Sequence, residues 1–100
     1  MFGNFMEQLQ IMKMKMEEVK EKLESVSVTG DAAGGDVKVV MNGNKKVKSV
    51  TIAPSLQFSS PEELEEQLCV ALNRAIEKAE QLHQDESSKI ASGMLPPGMM

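Results

Sequence analysis

The residues best equipped for chemistry in this chain are its cations. Lys13, Lys15, Lys20 and Lys22 stand close together near the N-terminus, and Lys38, Lys45, Lys46 and Lys48 crowd a second short region. Ammonium groups gathered in this way can hold phosphate oxygens, in contacts that carry little base-sequence information. Other chemistries find less to build on. His83 is the single histidine and Cys69 the single cysteine, which leaves little for a metal cluster or a Ser/His/Asp triad. His83 reads as a solvated residue near the end of an acidic helix, and Cys69, between Leu68 and Val70, as a buried structural thiol. Glu62, Glu63, Glu65 and Glu66 fall where a helix begins, and acids there complement the helix dipole without any catalytic role. Gly30 to Gly35 lacks the Lys-Ser/Thr ending of a phosphate loop. The chain therefore reads as a binding protein and not an enzyme, with no metal, no cofactor and no small-molecule substrate.

A long helix must carry the first lysines. Phe2, Phe5, Leu9, Met12, Met16, Val19, Leu23 and Val26 recur at alternating spacings of three and four. That heptad seam predicts a helix over about residues 4–25, roughly 30 Å long. Asn4, with Glu7 three residues on, predicts its N-cap. Lys13 and Lys20 then occupy heptad position e, and Lys15 and Lys22 position g, so the lysines flank the seam on both sides. Two copies pairing along it would bring like charges together. The seam is thus expected to pack on a second helix or a sheet, with the lysines edging a groove. Local pairs, Glu18 with Lys22 and Glu17 with Lys20, offer the competing account of a solvated helix face.

Three strands should follow. Ser25 to Gly30 and Asp36 to Met41 alternate apolar and polar residues, joined by a glycine-rich turn. Asn42-Gly43 signals a hairpin into a third strand, Lys46 to Ile52. In that strand Val50 and Ile52 share parity with Lys46 and Lys48, which predicts a bulge or a strand end near Lys48. Lysines on an edge strand also deter aggregation. Pro54 ends the strand. Ser60, Pro61 and Glu63 open a second helix as N-cap, first residue and capping-box partner. Leu64, Leu68, Ala71, Leu72, Ala75, Ile76, Ala79 and Leu82 form its apolar stripe, with alanines small enough to admit another helix closely. This helix is expected to fade between Glu86 and Ile90. The fold class is α+β: a long N-terminal helix, a three-stranded antiparallel β-meander and a long C-terminal helix. One domain over residues 1–91 and a flexible tail over 92–100 are expected.

The chain has 100 residues and a formal net charge of −4. Residues 1–50 carry eight Lys against seven Asp and Glu; residues 51–100 carry three basic residues against eight acidic ones. The basic side chains are thus concentrated in the first half. A lone cysteine fits a reducing compartment. Neither a signal peptide nor a membrane span is expected.

Several short stretches, in order, resemble the YbaB/EbfC family of bacterial nucleoid-associated proteins. They are Met1-Phe2-Gly3-Asn4 before a Met- and Gln-rich helix, Val28-Thr29-Gly30, Val37-Lys38-Val39, Asn42-Gly43, Val50-Thr51-Ile52-Ala53-Pro54-Ser55-Leu56 and Ser92-Gly93-Met94-Leu95-Pro96-Pro97-Gly98-Met99. The resemblance implies the same helix–sheet–helix fold and a homodimer, associated largely through its sheets, with projecting helices that act like tweezers. It also implies duplex DNA as partner, no cofactor, and a cytoplasmic, nucleoid-associated protein. Ala53 departs from the family's usual Ile-Asp-Pro. On this reading Lys13, Lys15, Lys20 and Lys22 contact backbone phosphates with weak sequence specificity, and Arg74, Lys78 and Lys89 assist. The alternative is a protein-interaction adaptor that uses its Met-rich helices, Met6, Met12, Met14 and Met16 among them, without direct DNA binding.

Overall fold

The computed structural model describes residues 2–54 and 60–94. Helix α1 spans Phe2–Glu24, strands β1 Ser27–Ala32, β2 Val37–Asn42 and β3 Val47–Ile52, and helix α2 Pro61–Met94. The sheet order is β1-β2-β3 with both neighbours antiparallel. The expected α+β order therefore holds. Some boundaries differ. α1 already includes Phe2, so Asn4 lies inside the helix and does not cap it. α2 does not fade at Glu86 but runs on through Ser92 to Met94, and residues 95–100 of the expected tail lie outside the described residues. Ser60 does cap α2: its Oγ accepts the Glu63 backbone N–H at 3.3 Å, and Pro61 needs no partner at the first position.

The core lies between α2 and the first two strands. Ala71, Ala75 and Ala79 on α2 are fully buried against Val37, Val39, Met41 and Ala32. Sequence reasoning gave the alanines to an approaching helix. A strand occupies that place instead, because Gly30 on β1 is also small. A Cβ on Gly30 would lie 2.1 Å from the Ala71 carbonyl oxygen and 2.4 Å from the Ala75 nitrogen. Strand and helix thus meet backbone to backbone.

A bulge at Lys48 resolves the parity of β3. Val40 pairs with Ser49 and Met41 with Val47, which leaves Lys48 without a partner. Val47, Val50 and Ile52 consequently share one face with Met41, Val39 and Val37. α2 covers β1 and β2 and leaves β3 largely bare, so this apolar row is 39–50% exposed.

α1 is attached by its C-terminal end alone. Val19 and Leu23 are buried, whereas Phe5, Leu9 and Met12 are 58%, 46% and 40% exposed. The expectation that the whole seam packs is corrected: most of α1 projects past the core. The radius of gyration, 19.2 Å, accordingly exceeds the ~13 Å of a compact chain of this length.

The β2–β3 hairpin tip holds that end. Gly43 N–H donates to Leu23 O at 2.8 Å and to Val26 O at 3.1 Å. Asn44 Nδ2 donates to Lys20 O at 2.8 Å and to Glu24 Oε2 at 2.7 Å. Carbonyls that a helix end leaves without partners are satisfied by the tip. The tip is a three-residue loop, Gly43-Asn44-Lys45, closed by Asn42 N–H to Lys46 O at 2.8 Å. Asn42 is buried, and its Oδ1 accepts the Asn44 and Lys46 N–H groups. Gly43 is needed for closeness, since a Cβ there would lie 2.8 Å from Leu23 Cβ. The left-handed position falls to Lys45, at φ +68°.

Two glycine substitutions separate crowding from conformation. Gly30→Ala should destabilise the protein by about 3 kcal/mol, at the upper end of overpacking costs. Gly34→Ala, at φ +68° but in open space, should cost only about 1 kcal/mol. Urea denaturation of the two variants checks this, and equal losses would contradict it.

Candidate nucleic-acid interface

The sequence-predicted cations divide by what they touch. Lys13, Lys15 and Lys20 are exposed on α1, and none makes an ion pair among the described residues. Lys22 does not use Glu18. It bonds to Glu86 of α2 at 2.8 Å, and Lys89 reaches the same carboxylate at 3.3 Å. Arg74 Nη1 donates to Asp31 O at 2.7 Å and Lys78 Nζ to Thr29 O at 2.6 Å. Those two carbonyls point away from β2, so Arg74 and Lys78 cover the free edge of β1. The structure therefore does not gather the seven predicted site residues at one place. Three stand exposed on α1, two bind Glu86 between the helices, and two line the sheet edge.

The hairpin lysines also separate. Lys46 lies 3.6 Å from Glu24 and Lys45 lies 3.3 Å from Glu80, while Lys48 donates to Ser27 Oγ at 2.8 Å. Lys38 is exposed on the sheet face away from α2. An exposed pair such as Lys45–Glu80 contributes at most about 1 kcal/mol. A non-glycine residue in the left-handed region costs about 1–2 kcal/mol. The pair alone does not account for a lysine at this position.

α1, the hairpin tip and α2 enclose a cleft of about 580 Å³, lined by Lys13, Met16, Glu17, Lys20, Lys45 and His83 together with the loop backbone. Sequence reasoning missed His83 and had no reason to join Lys45 to the α1 lysines. No periodicity links residues 13, 45 and 83; only the cap that sets α1 on the hairpin brings them together. Cys69 is exposed, contrary to the buried thiol expected. Among the described residues no cluster of His, Cys, Asp and Glu could hold a metal ion, and no helix is long and apolar enough to cross a membrane.

A sequence profile described as the YbaB/EbfC DNA-binding family matches residues 1–94. The chain belongs to this family. The YbaB/EbfC proteins are DNA-binding, nucleoid-associated proteins. Among solved structures, the crystal structure of the uncharacterized protein HP0035 from Helicobacter pylori matches with a TM-score of 0.80 at 24% identity, covering 91% of this chain and 97% of that one. That likeness shows the fold.

Two carboxylates hold α1 in place, and both are acidified by their contacts. The Lys22 ammonium, with Lys89, keeps Glu86 below its ordinary pKa of 4.5. The Asn44 amide, with Lys46, does the same for Glu24. Lowered folded-state pKa values stabilise above the unfolded value, and that stability is lost as pH falls through the folded one. Melting temperature should therefore fall as pH is lowered below about 4.5. Glu86→Gln should lower the melting temperature at pH 7 and flatten the acid branch. An acid branch as steep in Glu86→Gln as in the parent would exclude this carboxylate as its source.

Proposed function

We propose that this protein binds duplex DNA as a homodimer, mainly through backbone phosphates and with weak sequence specificity, in the cytoplasm at the nucleoid. The observation that carries the reading is that Lys13, Lys15 and Lys20, on a helix that projects from the core, make no ion pair among the described residues. Unpaired ammonium groups bind phosphates without first breaking an internal contact. Each phosphate they neutralise releases counterions to solution. Lys22 joins them by exchanging Glu86 for phosphate. Arg74, Lys78 and Lys89 assist with the N–H groups left over from their internal bonds. The acidic face of α2 limits affinity and makes it strongly salt-dependent.

The uncovered row Val47, Val50 and Ile52 supports the homodimer. It extends the core face of the sheet on an edge strand, so a second copy can bury it and the adjoining surface together. A pair of chains would set two α1 arms around one duplex. A second reading, a protein-interaction adaptor, is favoured by the exposed Phe5, Met6, Leu9, Ile11, Met12 and Met14 on the same arm. Such residues suit an adaptable apolar contact.

The two readings part in a mobility-shift series. Lys13→Gln, Lys15→Gln and Lys20→Gln combined should weaken duplex binding at about 50 mM salt by at least tenfold and lower the slope of log affinity against log salt. Light scattering should give twice the chain mass. Unchanged duplex affinity in the triple variant would refute the phosphate assignment. Absence of duplex binding at low salt, with capture of a protein partner that survives nuclease, would favour the adaptor.

A further inference from the structure

The cleft at the base of α1 is built from three elements that sequence does not connect. Lys13 and Lys20 come from α1, Lys45 from the hairpin tip and His83 from α2. The half-buried Met16 makes an apolar wall beside them. The opposing charges are Glu17 on α1, which lines the cleft, Glu24, which accepts from Asn44 and feels the Lys20 charge, and Glu80 on α2, which pairs with Lys45 at 3.3 Å. Lys13 and Lys20 make no ion pair among the described residues, and the Lys45–Glu80 pair is exposed on both sides, 48% and 53%, so an incoming anion can displace it. The loop amides are engaged within the protein: Gly43 N–H serves Leu23, Asn44 N–H serves Asn42 Oδ1 and Lys45 N–H serves Asn42 O. A ligand therefore meets the side chains.

Lys45 adds an independent observation. It occupies the left-handed position of the loop at φ +68°, where glycine fits without strain. A strained residue that could be relieved by glycine, on a loop that borders a cleft with two lysines and with its ammonium held there only by the exposed Glu80, points to a role for the side chain.

The geometry points to a phosphate seat: the cleft binds a phosphate group between Lys13, Lys20 and Lys45, with His83 as a further donor from α2. The group is a backbone phosphate of duplex DNA or the phosphate of a small molecule. In the first case the seat rests on the DNA reading and would make the cleft the point where one phosphate is held between arm and core. Binding there would also tie α1, the hairpin and α2 together and stiffen the arm.

His83 is the single histidine, so its ring gives one set of resonances, and these report from the wall of the cleft. The full-length protein is titrated with a short DNA duplex and, separately, with inorganic pyrophosphate, at constant pH. Both probes should move the His83 signals. Lys45→Gly should melt a few degrees higher, because strain is relieved, yet bind each probe at least fivefold more weakly. The opposite signs exclude misfolding as the cause. Lys45→Gln should also bind at least fivefold more weakly, whereas Lys46→Gln, with the same charge change on the neighbouring residue, should stay within twofold. Glu80→Gln should bind slightly tighter. A response to duplex but not pyrophosphate supports a seat for backbone phosphate. A response to pyrophosphate without any duplex binding supports a small-molecule seat and refutes the DNA reading. Duplex binding that leaves His83 unmoved overturns the seat and leaves the DNA reading standing. Failure of both probes to move His83 overturns it as well, and so does equal weakening by Lys45→Gln and Lys46→Gln.

Discussion

At Gly30 strand β1 touches helix α2 with no side chain between them, the space that a Cβ would need being taken by the Ala71 carbonyl and the Ala75 nitrogen. The height of α2 above the sheet follows from this contact. Three alanines one turn apart, at 71, 75 and 79, keep the helix equally low along the strand. At that height Arg74 and Lys78 reach over the sheet edge to the carbonyls of Asp31 and Thr29. The same placement carries Glu80, His83 and Glu86 past the sheet, where they meet the hairpin tip and α1. Small residues contribute modest apolar burial. Their effect is geometric, and the polar contacts of the whole upper half of the molecule depend on it.

The hairpin tip is the second fixed point. Close approach recurs there, with Gly43 against Leu23 in place of Gly30 against Ala71. The tip closes α1 by donating to its last carbonyls, which sets the direction in which the arm leaves the core. An arm held only by its end bends or swings more readily than a packed helix, because few buried contacts oppose the motion. Its apolar seam is divided accordingly: Val19 and Leu23 anchor it, and Phe5, Leu9 and Met12 stay exposed.

The cations take three roles that net charge conceals. Arg74 and Lys78 protect an edge strand, which a second strand could otherwise extend. Lys22 and Lys89 share one carboxylate between the helices. Lys13, Lys15 and Lys20 are exposed and make no ion pair among the described residues. The net charge of −4 does not show this division, since eight of the fifteen acids lie on α2 and five on α1 among its lysines. Membership of the YbaB/EbfC family points to DNA as the partner; the division of the cations shows which of them already hold contacts within the fold.

Several local features follow from short-range rules, although the Asn4 capping signal does not, because α1 already begins at Phe2. The heptad seam, the Ser60 cap, the alternation of Val37, Val39 and Met41, and the bulge at Lys48 follow from helix and strand periods within a few residues. The motif order likewise carried the family and the helix–sheet–helix arrangement. Long-range placement was beyond such rules. The seam pattern cannot say that its upper half lacks a partner, nor the alanine stripe that it receives a glycine strand instead of a helix. Cys69 sits near an apolar stripe in sequence yet faces solvent, since the stripe is narrower than its neighbours suggest. Above all, Lys13, Lys45 and His83 have no sequence relation to one another. They share a cleft because hydrogen bonds from the hairpin fix where α1 stands, and that distance in space is set by backbone contacts that leave no periodic mark on the chain.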